Sequence, residues 1–142
     1  MNKIVCGVDG SAGSRAALAW AWNEAKVHGA ALEAVTAWQY PIATALPTFG
    51  SMPTPDDLQG EARSHLLAVL AEEGVTADAG VAVTTLVAEG TAAQALLEAA
   101  ETADLLVVGS RGHGGFKGLL VGSVSQQCVS HASVPVVVVH PR

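Results

Sequence analysis

The stretch Leu105–Ser125, LLVVGSRGHGGFKGLLVGSVS, decides how this chain is read. It opens on an apolar run, Leu105-Leu106-Val107-Val108, of strand length. It passes into Gly109-Ser110-Arg111-Gly112 and, after nine residues, into Gly122-Ser123. The segment Val124 to His131 then reads as a helix. A strand end, a glycine-rich loop and a helix N-terminus in that order let backbone N–H groups face a phosphate. Gly109 and Gly112 allow close approach at the strand exit, and Gly122 does so at the helix entry. Ser123 is expected to cap the helix and offer its hydroxyl to the same anion. The helix dipole adds roughly 0.5–1 kcal/mol for a negative group. Gly114, Gly115 and Gly118 leave the intervening segment pliable, so that it closes over a ligand. The same residues also read as a glycine loop without a ligand, and spacing alone leaves both open.

Outward from this stretch the chain alternates between two periodicities. Lys3 to Val8 reads as strand one and ends in the turn cluster Asp9-Gly10-Ser11. Ser14 to His28 carries Ala17, Leu18, Ala21, Trp22 and Ala25 at helical spacing, and Gly29 stops it. Leu32 to Trp38 is strand two. Gln39 to Gly60 holds four of the six prolines and reads as a long connection. Helical spacing resumes from Asp57 to Glu73, and Val81 to Ala88 is strand three. Thr91-Ala92-Ala93-Gln94 reads as a capping box that opens an apolar helix to Ala100. Leu105 to Val108 is strand four and Val134 to His140 strand five. Strands that are continuous apolar runs are buried on both faces. The alternation predicts a doubly wound parallel α/β sheet in one domain over residues 1–142. Ligands of such sheets sit beyond the carboxyl ends of the strands, where strand order reverses. That places Asp9, at the end of strand one, opposite the glycine loop.

Composition narrows the partners. Of 142 residues, 50% are hydrophobic and 14% charged, which is ample for one core. Net charge is −6 with seven Lys and Arg in all, which excludes a nucleic-acid partner of the phosphate-binding kind. A bound phosphate must then rest on backbone donors and helix dipoles, with Arg111 and Lys117 the cations nearest the loop. Cys6 and Cys128 have no metal-ligand spacing and read as buried free thiols in a reducing cytoplasm. The run Ile4 to Val8 is too short for the apolar region of a signal peptide, and no stretch has the length of a membrane span. A soluble, cytoplasmic protein with no membrane partner is expected.

Two common phosphate motifs are absent. No Gly-Lys-Ser/Thr triplet follows a glycine at P-loop spacing. The dinucleotide pattern belongs after strand one, where Gly7-Val8-Asp9-Gly10-Ser11 lacks the third glycine. Here the chain resembles the universal stress protein family, in its ATP-binding branch. The signature Gly-x2-Gly-x9-Gly-Ser/Thr is met by Gly109, Gly112, Gly122 and Ser123. The opening IVCGVDGS and the ending VPVVVVHP are similar to the family's first strand and last strand, so the resemblance covers the whole chain.

The resemblance implies an adenine nucleotide alpha-hydrolase-like fold with strand order 3-2-1-4-5 and about four helices. It implies ATP, with Mg2+ or Mn2+ carried by the phosphates. Asp9 resembles the acidic residue that meets the nucleotide near the ribose, and Gly7 would lie beside the base. Ala37 aligns with a residue whose backbone recognises adenine. Val108 and Gly109 would flank the ribose, and Gly112, Gly122, Ser123 and Val124 would hold the phosphates. A homodimer through strand five, Val136, Val137, Val138 and Val139, and a role in stress responses are implied in the same way.

Several of these residues also have ordinary structural readings. Asp9 serves as a turn or helix-capping residue. Arg111 either pairs with a γ-phosphate or projects into solvent. His113 either meets a phosphate or is an exposed loop residue, the latter being the plainer reading, and His131 reads as a partner of the helix C-terminal dipole. Trp20, Trp22 and Trp38 read as packing residues, although Trp38 adjoins the adenine position. Two other functions compete with nucleotide-dependent regulation. One is slow ATP hydrolysis or phosphate transfer, with Asp9 holding a metal-bound water and Arg111 stabilising charge. The other is a dimeric interaction module without obligatory nucleotide, since an apolar edge strand is protected by pairing across a two-fold axis.

Overall fold

The expected strands Lys3–Gly7 and Leu105–Gly109 are short apolar runs buried on both faces, whereas Val83–Glu89 and Val136–Val139 are only partly buried. The computed structural model describes residues 1–40, 52–112 and 121–141. The strands are β1 (Lys3–Gly7), β2 (Ala31–Trp38), β3 (Val83–Glu89), β4 (Leu105–Gly109) and β5 (Val136–Val139). The helices are α1 (Ala12–His28), α2 (Pro55–Glu72), α3 (Ala92–Ala100) and α4 (Ser123–His131). The sheet has the order β3-β2-β1-β4-β5, and every pair is parallel, as expected. From β1 the chain first builds outward through β2 and β3, then returns to the other side of β1 for β4. The crevice of a doubly wound sheet therefore opens at the carboxyl ends of β1 and β4.

Successive residues of a strand face opposite sides of the sheet. Ile4, Cys6, Val8, Leu32, Ala34, Leu105 and Val107 join Leu18 and Trp22 of α1 and Leu66 and Val69 of α2 in one core layer. Val5, Val35, Leu106 and Val108 join Leu96 and Ala99 of α3 and Cys128 of α4 in the other. Both cysteines are buried and free. Among the described residues no helix is long and apolar enough to cross a membrane.

Helix ends differ from the sequence reading where side-chain caps decide them. α1 starts at Ala12 because the Ser11 hydroxyl accepts the Ser14 N–H at 3.2 Å. α2 starts at Pro55, inside the segment read as a connection. Thr54 and Asp57 close a full capping box there, with bonds of 3.1 and 3.0 Å. The rest of that connection, residues 41–51, lies outside the described residues. At α3 only half of the expected capping box forms. Thr91 accepts the Gln94 N–H at 3.2 Å, but the Gln94 amide turns forward to Glu98 Oε1 instead of back to Thr91. A short 3-10 turn, Ala77–Ala79, was not expected, and it delays β3 to Val83. β5 is shorter than read because Pro135 has no N–H to give, although its carbonyl accepts from Leu106 at 3.0 Å. At the amino ends of the strands Asp104 accepts the Asn2 and Lys3 N–H groups at 2.7 and 3.0 Å, which pins β1 beside β4.

Candidate functional site

A cleft of ≈ 110 Å³ opens at the carboxyl ends of β1, β2 and β4. One water needs only ~10–15 Å³, so the space suits an organic group. Its β2 side is mostly apolar, built from Val35, Thr36 and Ala37 with Ala92 and Leu96 of α3. Its floor is Gly7, Val8, Val108 and Gly109 at the ends of β1 and β4. Its other side is polar, with Asp9, Ser11 and Ser14 from the turn into α1 and Arg111 and Gly112 beyond β4. Val124 of α4 completes it.

The turn after β1 is held by its own side chains. Asp9 Oδ1 accepts the Ser11 N–H at 2.9 Å and the Ser11 hydroxyl at 2.5 Å. The Asp9 and Gly10 N–H groups donate to Ser14 Oγ at 3.2 and 3.1 Å. Asp9 is thus a turn-forming residue and a cleft residue at once.

Glycines decide how closely the walls meet. A Cβ on Gly109 would lie 2.5 Å from the Gly13 carbonyl carbon, and one on Gly13 would lie 2.5 Å from Arg111 O. These two positions let the first turn of α1 rest directly on the end of β4. A Cβ on Gly112 would lie 2.6 Å from Asp9 Oδ2, so glycine there lets the strand-four segment reach the turn.

Of the ten residues singled out from sequence, the structure brings eight together around the cleft: Gly7, Asp9, Ala37, Val108, Gly109, Arg111, Gly112 and Val124. Gly122 and Ser123 are not among its lining. Gly122, not Ser123, is the N-cap of α4, and among the described residues no side chain caps that helix. Ser123 is its first residue and is exposed, because Gly122 is pulled toward β4 by its N–H bond to Ser110 O at 2.5 Å. Ser125 Oγ lies 3.1 Å from the Ser110 and Gly122 carbonyls and backs the same contact. The buried Ser110 hydroxyl has no partner among the described residues. Residues 113–120 of the loop, with His113 and Lys117 and the expected closure over a ligand, lie outside the described residues.

Trp38 does not line the cleft. Strand alternation turns it to the opposite face from Ala37, where its indole N–H donates to Gln59 Oε1 and its ring meets Tyr40 edge-on at 6.0 Å. Sequence reading missed Val8, Ser11, Ser14, Val35, Thr36, Ala92 and Leu96 as lining. Ser11 and Ser14 carried a signal, a serine pair at cap spacing after a strand. Ala92 and Leu96 carried none, because the packing of α3 beside β1 and β2 is a tertiary fact.

Residues 1–140 match the profile described as the Universal stress protein family. A universal stress protein of Mycolicibacterium smegmatis is 36% identical over 142 residues, covering 96% of this chain and 47% of that protein. The chain thus spans about half the length of the curated relatives it matches. A solved universal stress protein in complex with cAMP is 29% identical, with a TM-score of 0.71, over 99% of this chain and 98% of its own. The universal stress protein UspA of Lactobacillus plantarum is 22% identical with a TM-score of 0.75, over 97% of both chains, and shares the fold.

Proposed function

The chain belongs to the universal stress protein family, and on that premise we propose that it binds an adenine nucleotide and acts as a nucleotide-dependent regulator in a stress response. The observation that carries the reading is the cleft itself. It lies at the switch point of the sheet, apolar toward β2 and α3 and polar toward the turn after β1. A base suits the first side and a sugar phosphate the second. The cAMP bound by a relative of 29% identity supports the same ligand class.

In this reading the ligand is ATP, with Mg2+ or Mn2+ carried on its phosphates, and the domain over 1–142 works in the cytoplasm. The backbone of Ala37 meets the base beside Gly7. Val108, Gly109 and Asp9 surround the ribose. Phosphates run past Arg111, Gly112 and Val124 toward Gly122 and Ser123, where among the described residues no side chain competes for the N–H groups of the first turn of α4. A homodimer through β5 accompanies this. β5 is an edge of the sheet, and its four valines are all only half-buried.

Mass spectrometry of small molecules released from the purified, denatured protein tests the reading directly. Adenine nucleotide is the expected result; a different ligand would redirect it. Calorimetry then separates the site from the fold. Gly122→Leu should abolish ATP binding while the far-ultraviolet dichroism is unchanged. Unaltered affinity in that variant would place the phosphates elsewhere.

A further inference from the structure

We propose that Arg15 is a positioning residue of the cleft, acting through Asp9, with Glu72 and Glu73 at the end of α2 as its anchor. The placement of Arg15 is one that the helix itself does not explain. Arg15 lies near the N-terminus of α1, where a cation opposes the macrodipole. Its side chain is turned instead to the turn after β1. Nε donates to Gly10 O at 3.0 Å. Nη1 reaches Glu72 Oε2 at 2.8 Å and Glu73 Oε2 at 3.1 Å.

Gly10 O and the Ser11 N–H are the two ends of one peptide plane. In a trans peptide they point in opposite directions. Arg15 holds the carbonyl end, and Asp9 Oδ1 accepts from the N–H end at 2.9 Å. Fixing the carbonyl therefore fixes one of the donors that orient the Asp9 carboxylate, a wall of the cleft. The plane needs such a hold. Gly10 sits at φ 84, and glycine passes between backbone conformations with little steric resistance. α2 reinforces the hold from the same side, because a Cβ on Gly10 would meet the His65 ring at 2.6 Å and Val69 at 3.7 Å. The end of α2 is thereby joined to the cleft through Glu73, Arg15, the Gly10–Ser11 peptide and Asp9.

The test uses Arg15→Met, which keeps the apolar stem and removes the guanidinium. The exposed part of such an ion pair adds little to stability, so the variant should fold. The first measurement needs no ligand. Amide hydrogen exchange at Ser11 should quicken by about tenfold or more, while Leu18 in the middle of α1 is unchanged. Unchanged exchange at Ser11 would overturn the proposal. The second rests on the nucleotide reading above and is a double-mutant cycle with Asp9→Ala, which removes the acceptor of the Ser11 N–H, on ATP affinity. Arg15→Met should weaken ATP binding about tenfold alone and less than about twofold in the Asp9→Ala background. Equal losses in both backgrounds would show that Arg15 does not act through Asp9. If the native chain binds no ATP, the nucleotide reading fails, and Ser11 exchange still decides the role of Arg15.

Discussion

Two glycines of the same signature are bare for different reasons, and substitution should separate them. The space beside Gly109 is taken by the backbone of Gly13 and Ser14, which cannot swing aside. Gly109→Ala should therefore lower unfolding free energy by about 1–3 kcal/mol in a urea titration. The space beside Gly112 is taken by the Asp9 carboxylate. Gly112→Ala should leave the urea midpoint nearly in place and weaken the proposed ATP binding by about tenfold, or roughly 1.4 kcal/mol, in calorimetry. Both glycines were legible as positions of close approach. Of the groups that approach them, Asp9 was expected opposite the loop, whereas Gly13 was not, because only the β1–β4 pairing brings the first turn of α1 onto Gly109. Ser11 was read only as part of a turn and Ser14 only as the start of a helix, and their place on the wall of a cleft depends on the same pairing.

At the scale of elements, the sequence pattern told which segments are helix and which are strand, while local polar groups set the ends. The start of α2 is the clearest case. Thr54 and Asp57 lie among prolines that suggest a loop, and Asp is a less usual partner than Glu or Gln in a capping box. The same bonds make a prediction about acid. The Asp57 carboxyl is held below its ordinary value by the Thr54 backbone N–H and then by the Thr54 hydroxyl. Asp104 is held low by the Asn2 and Lys3 N–H groups. A carboxyl that is more acidic when folded stabilises the fold above its unfolded pKa, and that contribution fades as pH falls through the folded one. Stability should therefore decline once pH drops below about 4. In Asp57→Asn and Asp104→Asn the decline should be shallower, measured as urea midpoint against pH. An unchanged slope in both would mean that these bonds are absent in solution.

For the whole molecule, the doubly wound parallel sheet was legible from the alternation of apolar runs and helical spacing, the strand order came with the family resemblance, and the membership of the two core layers came from the structure alone. The cleft was legible as a location, and its α3 wall was not. The proposed dimer offers a test at this scale. The Val139 and Pro135 carbonyls accept from Ser110 and Leu106, so odd-numbered residues of β5 face β4. The N–H of Val138 then points outward, to the open edge. Val138→Pro should remove an edge donor, keep the bonds to β4 and convert a dimer to a monomer in sedimentation. A monomeric native chain would remove the β5 dimer from the reading. The two cysteines carry a different kind of consequence. Cys6 lies in the layer under α1 and α2, and Cys128 in the layer under α3 and α4. Burial pushes their thiols up to about 12 and about 11, so both should resist alkylation at neutral pH in the native chain. Each layer thus contains one natural sulfur label. Pulsed alkylation in mild denaturant, read by peptide mass, would time the opening of either side of the sheet without adding a probe. Matching rates mean that the layers part together; a lead at one sulfur identifies the side that yields first.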